Sequence, residues 1–360
     1  MNRRIEGLDV LRVVSAAVVC AFHTIMHLDC NYGILQPFLD SGAVFMSTFF
    51  ILSGFSLTIS NGFITNSAIL RFYKKRAVAV VPMYYFCAIL YNLMITIFAA
   101  LAGGGVWNKI EQMILLAPIE ALGLQTVFTS LFQYNHNAGT WFISCILLCY
   151  FIYPLLVGLV QLISRKERIL ISCLLTVLLV YSAFIAHRFG LADIYPNPFI
   201  RALEFSIGVL VGGIWTEHKG PKFSDRVYKT ALLSLAILLI VCISLFSRLY
   251  DTYGYGCMMF SWIVIPVSSL SIYYAAQVQK WHFRGIILYL SKISYCFYLA
   301  QLFSNTLCKY IIGRYNISSN SIKIVLAWIM CIFIAIILHH GVERPLVAHL
   351  RHKFVSASAG

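Results

Sequence analysis

Charge is what this sequence has least of. Only 11% of its 360 residues are Asp, Glu, Lys or Arg, where a soluble domain carries roughly 25%. Acidic residues are the scarcer sign, 13 against 27 basic ones. So little polar surface cannot cover a water-soluble globule of this length, which excludes an ordinary soluble enzyme. The sequence also lacks a Cys-x-x-Cys pair, and its 11 cysteines lie mostly inside apolar stretches. An odd, scattered set excludes a disulfide framework and leaves no metal site to expect. Cys145 and Cys149 share a helix face and read as small packing residues. No internal repeat marks the duplicated halves of a transporter.

What is present is apolar. Hydrophobic residues make up 60% of the chain, and the mean hydropathy is +0.83. Runs of about 20 apolar residues, the length that crosses a ~30 Å hydrocarbon core, recur throughout. They fall near 10–28, 42–60, 77–101, 141–163, 169–187, 199–216, 229–247, 257–276, 286–305 and 322–340. The expected fold is all-α, a polytopic transmembrane helical bundle of about ten spans. Arg3 and Arg4 ahead of an apolar run resemble the start of a signal peptide. Asp9 and Arg12 interrupt that run, however, and Val18-Val19-Cys20 is a poor cleavage or lipidation site, so the first helix is expected to be retained.

Most connections are short, which predicts one membrane domain over 1–345 and a short basic tail over 346–360. The exception is Ala102 to Thr140, long by loop standards. It opens with Gly103-Gly104-Gly105 and holds a moderately apolar stretch from Met113 to Phe132. Pro118, Glu120, Gln125 and Gln133 make it a poor span, so an interfacial or re-entrant helical segment on the outer side is expected.

A net charge of +14 invites a nucleic-acid partner, but its placement gives another reading. Eighteen of the 27 basic residues fall in alternate connections, beginning with Arg3 and Arg4 and continuing through 71–76, 165–168, 219–229, 280–284 and 344–353. Seven, among them Arg201, fall on the other side, and Arg12 and Lys292 lie within spans. This is the positive-inside bias, and with an even number of spans it puts both termini in the cytoplasm. The partner expected is the lipid bilayer, with no nucleic acid.

Ionisable residues within a span are expensive and point to function. The first span holds Asp9, Arg12, His23 and His27. Arg12 and His23 are eleven residues apart, which places them within ~20° of one helix face and roughly 16 Å apart along the axis. Histidine, with a pKa near 6.5, can take and return a proton at neutral pH. One helix thus offers a base for an acceptor hydroxyl and a cation for an anionic donor on the cytosolic side. A snorkelling arginine and a hydrogen-bonded helix histidine are the plainer reading. The second cluster, Arg71-Phe-Tyr-Lys-Lys-Arg76, precedes Pro82-Met-Tyr-Tyr85 at the start of the third span. Such grouped cations suit phosphates, although a positive-inside loop alone also accounts for them.

At these residues the chain resembles the acyltransferase family 3 membrane proteins, bacterial enzymes that acylate surface polysaccharides. Leu8-Asp9-Val-Leu11-Arg12 with His23 looks like that family's Arg-x10-His signature. Phe49-Phe-Ile-Leu-Ser53-Gly54-Phe55 and Thr140-Trp141-Phe142 look like its second-span and fourth-span motifs. Ser291-Lys-Ile-Ser294-Tyr295-Cys-Phe-Tyr298-Leu299 and Glu343-Arg-Pro345 match further on. Arg76-Ala-Val-Ala-Val-Val-Pro82 stands where the family has Arg-x-x-Arg-x-x-Pro. The second arginine of that pattern is Ala79 here, with Arg71, Lys74 and Lys75 nearby in a different helix phase. A histidine that often closes the ninth-span motif is Gln301.

The resemblance implies an acyl-CoA donor, usually acetyl-CoA, reached from the cytoplasm; its phosphates suit the basic inner face, where Arg12, Arg71, Lys75 and Arg76 are the residues expected to bind it. It implies O-acetylation of a sugar hydroxyl on a lipid-linked or exported glycan, in a bacterial cytoplasmic membrane. His23 would be the general base or would carry the acyl group transiently. Asp9, Ser53, Trp141, Ser294, Tyr295 and Glu343 are the remaining motif residues. With no attached hydrolase-like domain, this domain is expected to act alone or to pass its acyl group to a separate extracytoplasmic transferase. Two other classes stay open. One is a transporter or flippase for a glycolipid or small anion. The other is a non-catalytic homologue in envelope assembly, kept alive by Ala79 and Gln301.

Overall fold

The computed structural model describes residues 4–62, 64–101, 103–127, 138–191, 194–217, 222–249 and 256–356. No strand occurs among them. The helices are α1 (Glu6–Leu28), α2 (Met46–Asn61), α3 (Asn66–Leu101), α4 (Val106–Ala121), α5 (Trp141–Leu162) and α6 (Arg165–Phe189). After them come α7 (Pro198–Thr216), α8 (Asp225–Phe246), α9 (Ser261–Ala275), α10 (Arg284–Arg314), α11 (Asn320–Ile337) and α12 (Arg344–Arg351). Ten helical segments among the described residues are long and apolar enough to cross a membrane. The ten expected spans are all found.

Local sequence sets several boundaries. Ser164 and Glu167 form a capping box at the start of α6, each side chain closing on the other's backbone N–H. Asn197 accepts from the backbone N–H groups of Phe199 and Ile200 at 2.9 and 3.2 Å, and Pro198 takes the first turn of α7, where a missing N–H costs nothing. The most enclosed helices are α2, α7 and α9, and α6 and α8 lie outermost. The outer helices turn Leu170, Val177, Leu233 and Leu245 outward, as a surface solvated by lipid requires.

Glycine decides how α2 and α7 meet. A Cβ on Gly54 would sit 2.1 Å from the Phe205 carbonyl oxygen, and one on Gly208 would sit 2.0 Å from that of Ile51. Gly212 repeats the contact one turn along, where a Cβ would meet Thr58 at 2.8 Å. Lipid tails give helices no hydrophobic reason to associate, so close backbone approach supplies the van der Waals contact instead. The Ser53-Gly54-Phe55 motif is therefore in part a packing device.

Three expectations change. The third helix begins at Asn66, eleven residues before the expected span, so Arg71, Lys75 and Arg76 are helical and not part of a loop. Phe72 stacks on Tyr153 and Tyr73 on Phe151, at centroid distances of 5.2 and 6.1 Å, and these rings hold the extension against α5. The last span continues through a π-helical turn, Leu338–Glu343, into α12, so Glu343 lies inside a continuous helix and not beyond one. Arg201, counted from sequence among the basic residues of the opposite side, is fully buried in α7.

Within 102–140, α4 is a helix of 16 residues with no buried residue, held to α3 by Tyr84, whose hydroxyl donates to the Glu120 carbonyl at 2.7 Å. It is not one of the candidate spans. Phe132, Gln133, Arg3 and Lys219 lie outside the described residues. All eleven cysteines are free, and Cys145 and Cys149 are buried packing residues as expected.

Candidate functional site

Asp9, near the start of α1, is buried and collects cations. Arg4 grips its carboxylate with two N–H groups at 2.7 and 2.9 Å. Ser291 of α10 donates to it at 2.5 Å, and Arg12 Nη1 does so at 3.0 Å. Nη1 of Arg12 also reaches the Ser291 hydroxyl at 3.0 Å. The ninth-span motif thus helps to hold the arginine of the first. Donating these hydrogen bonds to Asp9 raises the pKa of Arg4, which lies outside the spans.

Arg12 lines a cavity of about 230 Å3 with Ser53, Tyr150, Ser294, Tyr295 and Glu343. Tyr295 is fixed by its hydroxyl donating to the Val80 carbonyl at 2.9 Å. Glu343 accepts from His339 Nδ1 at 2.5 Å and from the Cys296 thiol at 3.3 Å. The ligand atoms of these three residues lie within 4.8 Å of one another, and the carboxylate is already engaged by both neighbours.

His23 lines a second cavity, about 250 Å3, with His27, Trp141, Tyr195, Gln301 and Asn305. Nδ1 of His23 lies 2.5 Å from Gln301 Oε1. An amide oxygen only accepts, so Nδ1 carries the proton and Nε2 keeps its lone pair. Burial pushes the Tyr195 phenol well above its ordinary range, which keeps it a neutral hydroxyl. Tyr298 belongs to the walls of both cavities. The two spaces therefore meet at one ring, one beside the cation and the other beside the imidazole.

The wall of the second cavity stands on a buried ion pair. Arg201 and Glu204, i and i+3 on α7, have no exposed side-chain surface and pair at 2.9 Å. Ser47 donates to the same carboxylate at 2.7 Å. The Arg201 guanidinium lies 5.4 Å from the Trp141 ring centroid and 4.8 Å from that of Tyr195, close enough for cation–π attraction.

The residues singled out in the sequence divide into three groups. Arg12, Ser53, Ser294, Tyr295 and Glu343 meet at the first cavity, with Asp9 behind Arg12. His23 and Trp141 meet at the second. Arg76 is not in either wall but lies 5.7 Å from the Tyr150 ring centroid, directly behind the first. Arg71 and Lys75 are exposed and reach neither cavity. Ala79 lines the Arg12 cavity, and Arg71, Lys74 and Lys75 do not. Sequence reasoning passed over the roles of Tyr298, Tyr150 and Tyr195. It also missed the Arg201/Glu204 pair, whose signal was legible as opposite charges three residues apart in one span.

No curated protein and no solved structure matches the chain. A family model described as an acyltransferase domain matches residues 5–340, a stretch that holds Arg12, His23 and every wall residue named above except Glu343. With nearly its whole length inside that match, this multi-pass membrane protein belongs to the acyltransferase-domain family.

Proposed function

We propose that the protein moves an acyl group, in the simplest case acetyl, from acyl-CoA to a hydroxyl of a cell-surface or lipid-linked carbohydrate. The observation that carries this reading is the pair of cavities on α1, one beside Arg12 and one beside His23, with Tyr298 in both walls. A transferase needs a place for an anionic donor, a place for a nucleophile with a base beside it, and a short path between them. Arg12, held by Asp9, would take a phosphate or the thioester oxygen of the donor. His23 Nε2 would accept the proton of the acceptor hydroxyl. Trp141 and Tyr195 would offer ring faces to a sugar, and Asn305 a polar contact.

The positive-inside bias supports a donor arriving from the cytoplasm and both termini on that side, and the family resemblance supports a bacterial cytoplasmic membrane as the location. Arg76 would reinforce the donor side from behind Tyr150, and Arg71 and Lys75 would act at most as outer steering charges. The acyl group goes straight to the glycan or to a separate extracytoplasmic transferase. Labelled acetyl groups followed into the surface glycans of cells carrying wild-type or His23→Ala protein test the reaction. Transfer undiminished by His23→Ala sinks it. Labelling of cysteines introduced at 102–140 tests the orientation, and accessibility from the cytoplasmic side alone overturns it.

A further inference from the structure

Gln301 is buried, being 2% exposed, and lies in the wall of the His23 cavity. Its Oε1 is occupied by His23, while its Nε2 has no hydrogen-bond partner among the described residues. A buried amide N–H left unpaired is costly, and here it belongs to a side chain that lines the cavity and whose oxygen holds the His23 imidazole. Asn305, one turn further along α10, lines the same cavity. Gln301 thus has two polar ends, one fixed on the histidine and one unspent.

We propose that Gln301 is a positioning residue that sets the tautomer of His23 and also binds the acceptor through its N–H. It rests on the reading of His23 as the general base. Oε1 holds the proton on Nδ1, so Nε2 is the nitrogen with the lone pair on the ring that lines the cavity. The acceptor O–H passes its proton to Nε2, and the oxygen pair forms the new bond to the acyl carbon of the thioester. The C–S bond breaks, and the departing thiolate takes the proton back from the imidazolium, leaving ester and free thiol. Gln301 Nε2–H donates to the acceptor throughout and so gains the partner that the described residues do not give it. A neutral amide serves both ends because it carries one acceptor and two donors and does not itself titrate.

The test is 15N NMR of the full-length protein labelled at histidine, in detergent at a pH where the rings are neutral. The difference from His23→Ala assigns the His23 nitrogens. The expected wild-type state has the proton on Nδ1. Gln301→Met keeps length and volume but holds nothing, so the Nδ1–H form gives way to the other tautomer or to a mixture. In cells, labelled-acetyl transfer by Gln301→Met falls by at least about tenfold, the consequence of a mis-set tautomer. Gln301→Glu keeps an acceptor oxygen without an N–H, so it retains the Nδ1–H form and transfers at a rate between the other two. If Gln301→Met does not insert, Gln301→Glu carries the test by both readouts.

Several results overturn the proposal: a wild-type proton on Nε2, an unchanged tautomer in Gln301→Met, loss of the Nδ1–H form in Gln301→Glu, or Gln301→Met transfer within about twofold of wild type. Transfer that survives His23→Ala removes the functional reading as a whole. Transfer that survives Gln301→Met but not His23→Ala removes only the role given to Gln301.

Discussion

The Tyr298 hydroxyl donates to the Gly139 carbonyl at 2.6 Å, which ties α10 to the turn that opens α5. The Phe142 ring meets the Tyr298 ring at 5.4 Å, edge to face, so the partition between the cavities is braced from α5 as well. Tyr298→Ala should join the two spaces and let water reach the thioester. The expected result is faster release of free thiol from acetyl-CoA without acceptor, together with reduced transfer to glycan. Tyr298→Phe keeps the ring and loses one hydrogen bond, about 1 kcal/mol of stability, and should leave the partition closed. Thiol titration on purified protein measures both.

His23→Ala should lower acyl transfer by a factor of about 10² to 10⁴, the usual cost of losing a general base. The protein should still insert and stay monodisperse. His27 lines the same cavity, with its ring centroid 6.0 Å from that of His23, but it is not the ring that Gln301 holds. His27→Ala should keep most activity. Equal loss in both variants would point to a paired-histidine site.

Arg12→Ala removes the guanidinium from the first cavity, and Ala79→Arg adds one to its wall. Acyl-CoA affinity should weaken in the first by about 1.5–3 kcal/mol for a charge-assisted contact and strengthen in the second. Lys75→Ala should change little, because that side chain is exposed and away from the wall. Titration of acyl-CoA into detergent-solubilised protein gives all three affinities, and a Lys75→Ala loss as large as that of Arg12→Ala would move the donor site onto the exposed face of α3.

Gly208→Ala would place a Cβ 2.0 Å from the Ile51 carbonyl oxygen. Backbone cannot step aside as a flexible side chain can, so α2 and α7 must separate. A loss of about 1–3 kcal/mol or more is expected from overpacking. Thermal unfolding followed by size-exclusion in detergent should show it. Gly104→Ala, where a Cβ meets nothing within 4 Å, is the control expected to stay near wild type.

Arg201→Leu leaves Glu204 buried without its cation. Breaking such a pair costs about 3–5 kcal/mol, whereas replacing both partners by apolar residues is far milder. Arg201→Leu should therefore unfold well below the Arg201→Leu/Glu204→Leu double variant. The reverse order would mean that Glu204 is satisfied without Arg201.

Hydropathy and charge placement were enough to read the spans and the class of fold from the sequence. Insertion depends on properties summed over about 20 consecutive residues, and those are local. The same locality made the Arg12/His23 spacing legible, since both sit on one helix. It failed at α3, where aromatic stacking on α5 extends the helix back to Asn66, so that hydropathy alone misplaced the basic cluster. Nor could it place Ala79, Arg71 and Lys75 relative to the cavities, because their neighbours depend on which helix lies alongside.

Tertiary structure alone decided which side chains complete the site. His23 meets a glutamine 278 residues away, Arg12 a serine 279 away, and the wall between the cavities is built from α5 and α10. In a bilayer, the choice of partner between helices rests on close packing and buried hydrogen bonds. Those depend on the rotation and depth of each helix, set by contacts such as Gly54 on Phe205, which no window along one chain segment contains.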